Sequence, residues 1–333
     1  MKRDWSWLAR TLSLGLGLAL LAAVLYWQRN AWDGVAAAFE RIGIVGIAAV
    51  SAFHVLPLGF DAIAWRVAIE PRDRVGYLTC SVARWIGESF SSVLPAAQIG
   101  GELARARALT LFGVPFVKSG ASVIVDMTVG IVSQTVYVIV GVVAFAMLAA
   151  ESSGTSGLQL ALGIAVFALI AAVMVLAQVS QPFGRLLRRL GDRLGQGLGA
   201  RLLGHAAAVE DTVMRSYGRR RDMIAAFVWR IVGWFAGAAE FWLAMRLMGS
   251  PITVLEAIML ESAVQAVRSL AFMIPGGFGV QEAALVALGG SIGMTADIAI
   301  ALSLVKRARE YILGGGGLLA WFLLERRRGA IKA

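Results

Sequence analysis

From Thr11 to Leu324 the chain is a succession of long apolar stretches separated by short polar turns. A helix rises about 1.5 Å per residue and the hydrocarbon core of a bilayer is about 30 Å thick, so roughly 20 apolar residues make one crossing. Within lipid every backbone amide needs a partner from the protein itself, which leaves helices or a closed barrel. Runs of this length select helices. With 59% hydrophobic residues against roughly 45–50% in soluble domains, the chain reads as an all-α polytopic membrane protein. We take residues 1–333 as a single membrane domain.

The runs fall into an order. Thr11 to Trp27 follows Lys2, Arg3 and Arg10, and no small-x-small cleavage site closes it, so it is expected to be a retained first span with its N-terminus in the cytoplasm. Ile42 to Ile69 is the expected second span. Tyr77 to Leu94 is apolar apart from Arg84 and Glu88, and a short arm, Glu102 to Gly113, follows Pro95. Pro115 to Ala150 fits either a half-helix plus a span or one long tilted helix. Leu158 to Val179, Met223 to Met248, Val254 to Ile274, the short arm Gln281 to Gly290 and the last span Ala296 to Leu324 complete the series.

A second regularity lies over the first. Pro95 and Pro275 are 180 positions apart, as are Glu102 and Glu282, Arg66 and Arg246, Pro71 and Pro251, and Gly113 and Gly293. One ungapped register holding two proline pairs, an arginine, a glutamate and a glycine points to a duplicated unit, with repeat one about 11–150 and repeat two about 158–325. Residues 180–221 carry a leucine stripe opposite many arginines, an amphipathic segment expected on the cytoplasmic leaflet. The basic tail is expected on the same side. With both termini and that segment inside, the two repeats are inverted, and each holds a Pro/Gly-centred helical hairpin of re-entrant type. Inverted repeats interrupted by Gly and Pro at matching positions mark transporters and point to their sites.

Ionisable residues inside the apolar runs are the candidates for function, because each costs about 2.5–3.5 kcal/mol at the bilayer centre unless paired or hydrated. Arg84 and Glu88 are four apart on one helical face, suited to a local ion pair or to a headgroup. Glu261, Gln265 and Arg268 repeat that stripe in the second half. Glu102 and Glu282 each open a short arm behind a glycine-rich turn. They can cap the free amides of their own helix or act as gate or protonatable coupling group. Pro275, Gly276, Gly277, Gly279 and Gln281 surround Glu282, and such a turn can offer amides to a lipid phosphate. Asp126 and Lys306 are 180 apart. Lys306, Arg307 and Arg309 would attract a phosphate from a cavity, or pair with Asp126, Glu310 or Glu282. Gly314 to Gly317 reads as a helix-packing or kink point. His54 and Asp61 share a face, as a proton relay or, with the greater weight, as a satisfied core histidine.

Other chemistry is poorly served. One cysteine, Cys80, and two histidines, His54 and His205, do not make a Cys/His metal site. There is no GxxxxGK[ST] phosphate loop, no HExxH and no nucleophile–base set, so no cofactor and no enzymatic activity are expected. The net charge of +10 lies in membrane-flanking blocks, which reads as topology rather than nucleic-acid binding.

At LPAAQIGGELARA and IPGGFGVQEA the sequence resembles the transmembrane, flippase-like region of the lysylphosphatidylglycerol synthetase family. The more specific motif is Pro275-Gly276-Gly277-x-Gly279-x-x-Glu282, supported by Pro95 to Glu102 with Arg105. Around Asp126-Met127-Thr128 and Gln134 it looks like the hopanoid-biosynthesis-associated branch of that family. The resemblance, over roughly residues 10–325, implies movement or handling of a lipid, anionic or of polyisoprenoid or hopanoid type, across a bacterial inner membrane. It implies membrane lipids and lipid-biosynthesis proteins as partners. The long family form carries a soluble C-terminal aminoacyl-transfer domain, which is expected to be absent here. A non-transporting partner of a lipid-synthesis complex, and an intramembrane headgroup enzyme, are the other readings.

Overall fold

The structure, a computed structural model, describes residues 32–93, 97–151, 169, 208–270 and 279–332. The expected first span, the Pro95 turn, the run 158–179 apart from one residue, the basic segment up to residue 207, and Pro275, Gly276 and Gly277 lie outside those residues.

Among the described residues there are helices and turns and no strand. In chain order they are α1 (Trp32–Phe53), α2 (Val55–Ala68), α3 (Tyr77–Val93), α4 (Ala97–Leu111), α5 (Phe116–Glu151), α6 (Arg220–Leu247), α7 (Val254–Leu270), α8 (Val280–Gly290) and α9 (Ala296–Lys332). Residues 208–217 are helical as well. Three stretches, Asp33–Ala68, Phe116–Leu148 and Arg220–Leu247, are long and apolar enough to cross a membrane. Large apolar side chains cover the outside, among them Ile44, Leu78, Ile139 and Phe322. An apolar exterior of this extent suits lipid, not water.

The structure refines two expectations. The second span lies within one membrane-length helical stretch, Asp33–Ala68. Helix begins at Trp32 and is kinked at Gly43 (φ 58°); at His54 the backbone stays helical, its amide donating to the Val50 carbonyl and its carbonyl accepting from Leu58, and α1 and α2 are divided only by the one ladder bond that Pro57, without an amide hydrogen, cannot make. Gly43 has a left-handed backbone that side chains disfavour, so glycine is what allows the kink. Of the two alternatives for 115–150, the structure takes the single helix. The 36 residues of α5 span about 54 Å at helical rise, so a crossing of a ~30 Å core requires tilt or projection beyond it.

The packing crosses between the two halves of the chain. α2 lies along α6, α3 packs on both α4 and α9, α5 packs on α7, and α1 packs on α9. One core gathers Val138, Phe241, Leu260, Leu285 and Leu302 from α5 to α9. A second gathers Trp65, Ile86 and Leu109 from α2 to α4.

Two turns share one construction. After α4, Gly113 has φ 92°, the amides of Phe112 and Val114 both donate to the Leu109 carbonyl at 3.1 Å, and the Gly113 amide donates to Thr110. After α8, Gly293 has φ 76°, the amides of Ile292 and Met294 donate to the Gly289 carbonyl at 3.1 and 2.9 Å, and the Gly293 amide donates to Gly290. Each of these hydrogen bonds maps onto its counterpart at the 180-residue offset.

Candidate functional site

Ten ionisable side chains are buried among the described residues, five basic (Arg105, Arg230, Lys306, Arg307, Arg309) and five acidic (Asp126, Glu240, Glu261, Glu282, Glu310). Removing a charge from water without a partner is prohibitive, so their arrangement is a condition of the fold.

The first network centres on Asp126 of α5. Its Oδ2 accepts from Arg84 Nη1 of α3 at 2.9 Å and from Arg105 Nη1 of α4 at 2.5 Å, and its Oδ1 accepts from Arg230 Nη2 of α6 at 2.6 Å. Arg84 and Arg230 also grip Asp61 of α2 at 2.6 and 2.8 Å. Arg105 pairs with Glu102 one turn back and lays its guanidinium over the Trp65 ring, 4.5 Å from the centroid. Five helices are tied together by three carboxylates and three guanidiniums.

The second network centres on His54, on the helical stretch between α1 and α2. Its Nε2 lies 2.8 Å from Glu88 Oε1 of α3, and its Nδ1 lies 2.6 Å from Glu240 Oε2 of α6. Arg309 Nη1 of α9 reaches the same Nδ1, while its Nε stands 3.2 Å from Glu240 Oε1. Glu310 follows, 3.7 Å from Arg309 and 3.0 Å from Arg268 of α7.

Two further pairs complete the interior. Lys306 donates to Glu261 at 2.8 Å and lies 4.0 Å from the centroid of the Phe241 ring. Glu282 accepts from the Gly279 amide at 2.8 Å, Ser303 Oγ at 2.8 Å and Arg307 Nε at 2.7 Å. The first of these bonds caps the start of α8, where helical amides have no partner of their own. Gln281 donates to Ser303 beside it.

Between α2, α3 and α9 a small recess, with about 10 Å³ of room for water, opens onto the second network. His54, Glu88, Ser89, Ser92, Arg309 and Glu310 give it polar walls, and Leu58, Trp85 and Leu313 give it apolar ones. Glu88 stands at its mouth with 40% of its side chain exposed, whereas Glu240 and Arg309 behind it are 5% exposed. A charged wall beside an apolar one suits an amphipathic guest.

The pairing of these residues differs from what sequence spacing suggested. Arg84 and Glu88 are not a local pair. Arg84 turns to Asp61 and Asp126, and Glu88 turns to His54. Lys306, Arg307 and Arg309 are each held by a carboxylate. Of the partners considered for them, Glu282 and Glu310 are engaged, while Asp126 belongs to the other network. Arg268, Glu102, Gly279 and Gln281 take the positions just described. Arg230 and Glu240, to which sequence reasoning gives no role, join the networks as well, and each is an ionisable group within an apolar run, the signal that marks such residues.

Compared with known proteins, residues 14–315 match the family described as the lysylphosphatidylglycerol synthase TM region. The chain belongs to that family. A UPF0104 membrane protein of Pyrococcus horikoshii is 21% identical over 322 residues, covering 89% of this chain and 92% of the relative. No solved structure matches the chain. With three membrane-length apolar helices, membership makes this a membrane protein of the lysylphosphatidylglycerol synthase TM and UPF0104 type.

Proposed function

We propose that this family member moves a membrane lipid between leaflets of the inner membrane, with the headgroup passing along the charged cavity and the tails remaining in the bilayer. The carrying observation is the cavity itself: it combines ionised walls with an apolar face and lies between α2–α3 and α9. A headgroup of anionic or polyisoprenoid-linked type would meet Arg309 and His54 on one side and Ser89 and Ser92 on the other. The duplicated architecture is part of the same proposal. The matching turns at Gly113 and Gly293, and the exchange of α5 and α9 onto α7 and α3, support two equivalent units facing each other across the cavity. Such a pair can rock around a central site, as alternating access requires.

The test is lipid movement in proteoliposomes containing purified protein, wild type beside Glu88→Gln. Glu88 is half exposed at the cavity mouth, so the variant should insert and fold. The expected result is movement of a labelled lipid that the variant loses. Movement of no lipid class by wild-type protein, or equal movement by both proteins, overturns the proposal.

A further inference from the structure

The His54 network is one cation short. Among the described residues, two guanidiniums, Arg268 and Arg309, are in ion-pair contact with Glu88, Glu240 and Glu310. The other buried charges among those residues are paired with one another. Asp61, Asp126 and Glu102 have Arg84, Arg105 and Arg230, Glu261 has Lys306, and Glu282 has Arg307. Merging these groups does not alter the deficit. Arginine does not give up its proton in proteins, and net charge in a poorly solvated interior is costly. A proton on His54 removes the deficit.

The ring geometry points to the same atom. Nδ1 faces two partners that need opposite things from it. Glu240 Oε2, 2.6 Å away, is an acceptor and needs a hydrogen on Nδ1. Arg309 Nη1 is a donor and needs its lone pair. Both cannot be served at once. Nε2 is not in dispute, since its hydrogen points to Glu88 at 2.8 Å in either state.

We propose that His54 is a proton-binding site and that its proton selects which helix holds the ring. With the proton bound, both ring N–H groups donate to carboxylates, Glu88 of α3 and Glu240 of α6, and Arg309 is confined to its contacts with Glu240 and Glu310. With the proton gone, Nδ1 accepts from Arg309 of α9, and Glu240 loses its imidazole donor. The charged groups facing the ring are Glu88 from α3, Glu240 from α6 and Arg309 from α9, with Glu310 of α9 and Arg268 of α7 behind Arg309 and the Lys306–Glu261 pair beyond. Asp61, on the same helical segment as His54, belongs to the Arg84 and Arg230 network. Glu88, exposed at the cavity mouth, is the exchange route to water. The ring's partners come from α3, α6 and α9, so the proton biases a contact between helices from both halves of the chain. A role for it as coupling ion in lipid movement rests on the function proposed above.

The sequence makes the test direct, because it contains two histidines, His54 and His205. [15N]Histidine-labelled full-length His205→Gln protein in lipid nanodiscs reports the His54 ring alone by NMR. The expected spectrum near neutral pH shows hydrogens on both ring nitrogens. Glu240→Gln or Glu88→Gln, each of which removes the surplus carboxylate, is expected to leave most rings singly protonated at the same pH. Glu88→Gln serves where Glu240→Gln fails to fold. A singly protonated ring in the parent protein, or a doubly protonated ring that neither variant changes, overturns the proposal. A proton-bearing ring in a protein that moves no lipid would sink the transport reading alone. Lipid movement by a protein whose ring is singly protonated would sink the proton site alone.

Discussion

Arg230 and Asp126 are 104 positions apart in sequence, yet Arg230 Nη2 stands 2.6 Å from Asp126 Oδ1, with 5% and 1% of their side chains exposed. They join α6 to α5, and through Asp126 they reach α3 and α4. A pair this sealed contributes little when compared with a well-packed apolar replacement, but breaking it leaves a buried charge alone, at a cost of roughly 3–5 kcal/mol.

Asp126→Asn is therefore expected to destabilise the protein by about 3–5 kcal/mol, because three arginines lose their common anion. Adding Arg230→Gln should recover part of that loss. Thermal unfolding in detergent of the two single variants and the double variant gives the coupling directly, and strictly additive losses would contradict the network.

Glu282→Gln should act on folding more than on lipid movement. Its carboxylate is fully buried and is used by Gly279, Ser303 and Arg307, so the amide loses the ion pair and one acceptor. A stability loss on the order of 2–4 kcal/mol is expected from the lost Glu282–Arg307 ion pair. Glu88→Gln, at the half-exposed mouth, should leave the melting temperature within a few degrees of wild type. Comparing the two melting curves with the two transport rates separates a capping residue from a cavity residue.

The four consecutive glycines of α9, Gly314 to Gly317, are not equivalent. A side chain at Gly317 would strike Ser89 and the Trp85 carbonyl of α3, and one at Gly314 would strike Val93, whereas Gly315 faces open space. The Trp85 indole also donates to the Leu313 carbonyl at 2.8 Å, which fixes the close approach of the two helices. Gly317→Ala is expected to lower stability, and Gly315→Ala to raise it by about 0.5–1 kcal/mol through helix propensity alone. Equal effects at the two positions would show that α3 and α9 are not in contact there.

Gly113 and Gly293 carry a left-handed backbone with nothing within 4 Å of where a Cβ would stand. Alanine at either position meets only the backbone cost, roughly 1–2 kcal/mol. Matching losses for Gly113→Ala and Gly293→Ala in unfolding experiments are the outcome expected of equivalent turns in a duplicated unit.

The sequence by itself determined the class of fold and a surprising amount of local detail. Apolar runs of membrane length can only be helices, since lipid offers no partner to a backbone amide. The three-residue step from Gly279 to Glu282 is a capping distance, and the cap is there. The glycine run of α9 was legible as a packing surface, because only small residues let helix backbones approach. The partners of the buried charges were decided by the tertiary structure alone. Helical period says which residues of one helix share a face, and on that basis Arg84 and Glu88 belonged together. It does not say which helix that face will meet. Arg84 found Asp126 on α5, Glu88 found His54 between α1 and α2, and Lys306 found Glu261 on α7. In a poorly solvated interior each charge must take the nearest opposite charge, and nearness there is set by how the helices cross, not by their distance along the chain.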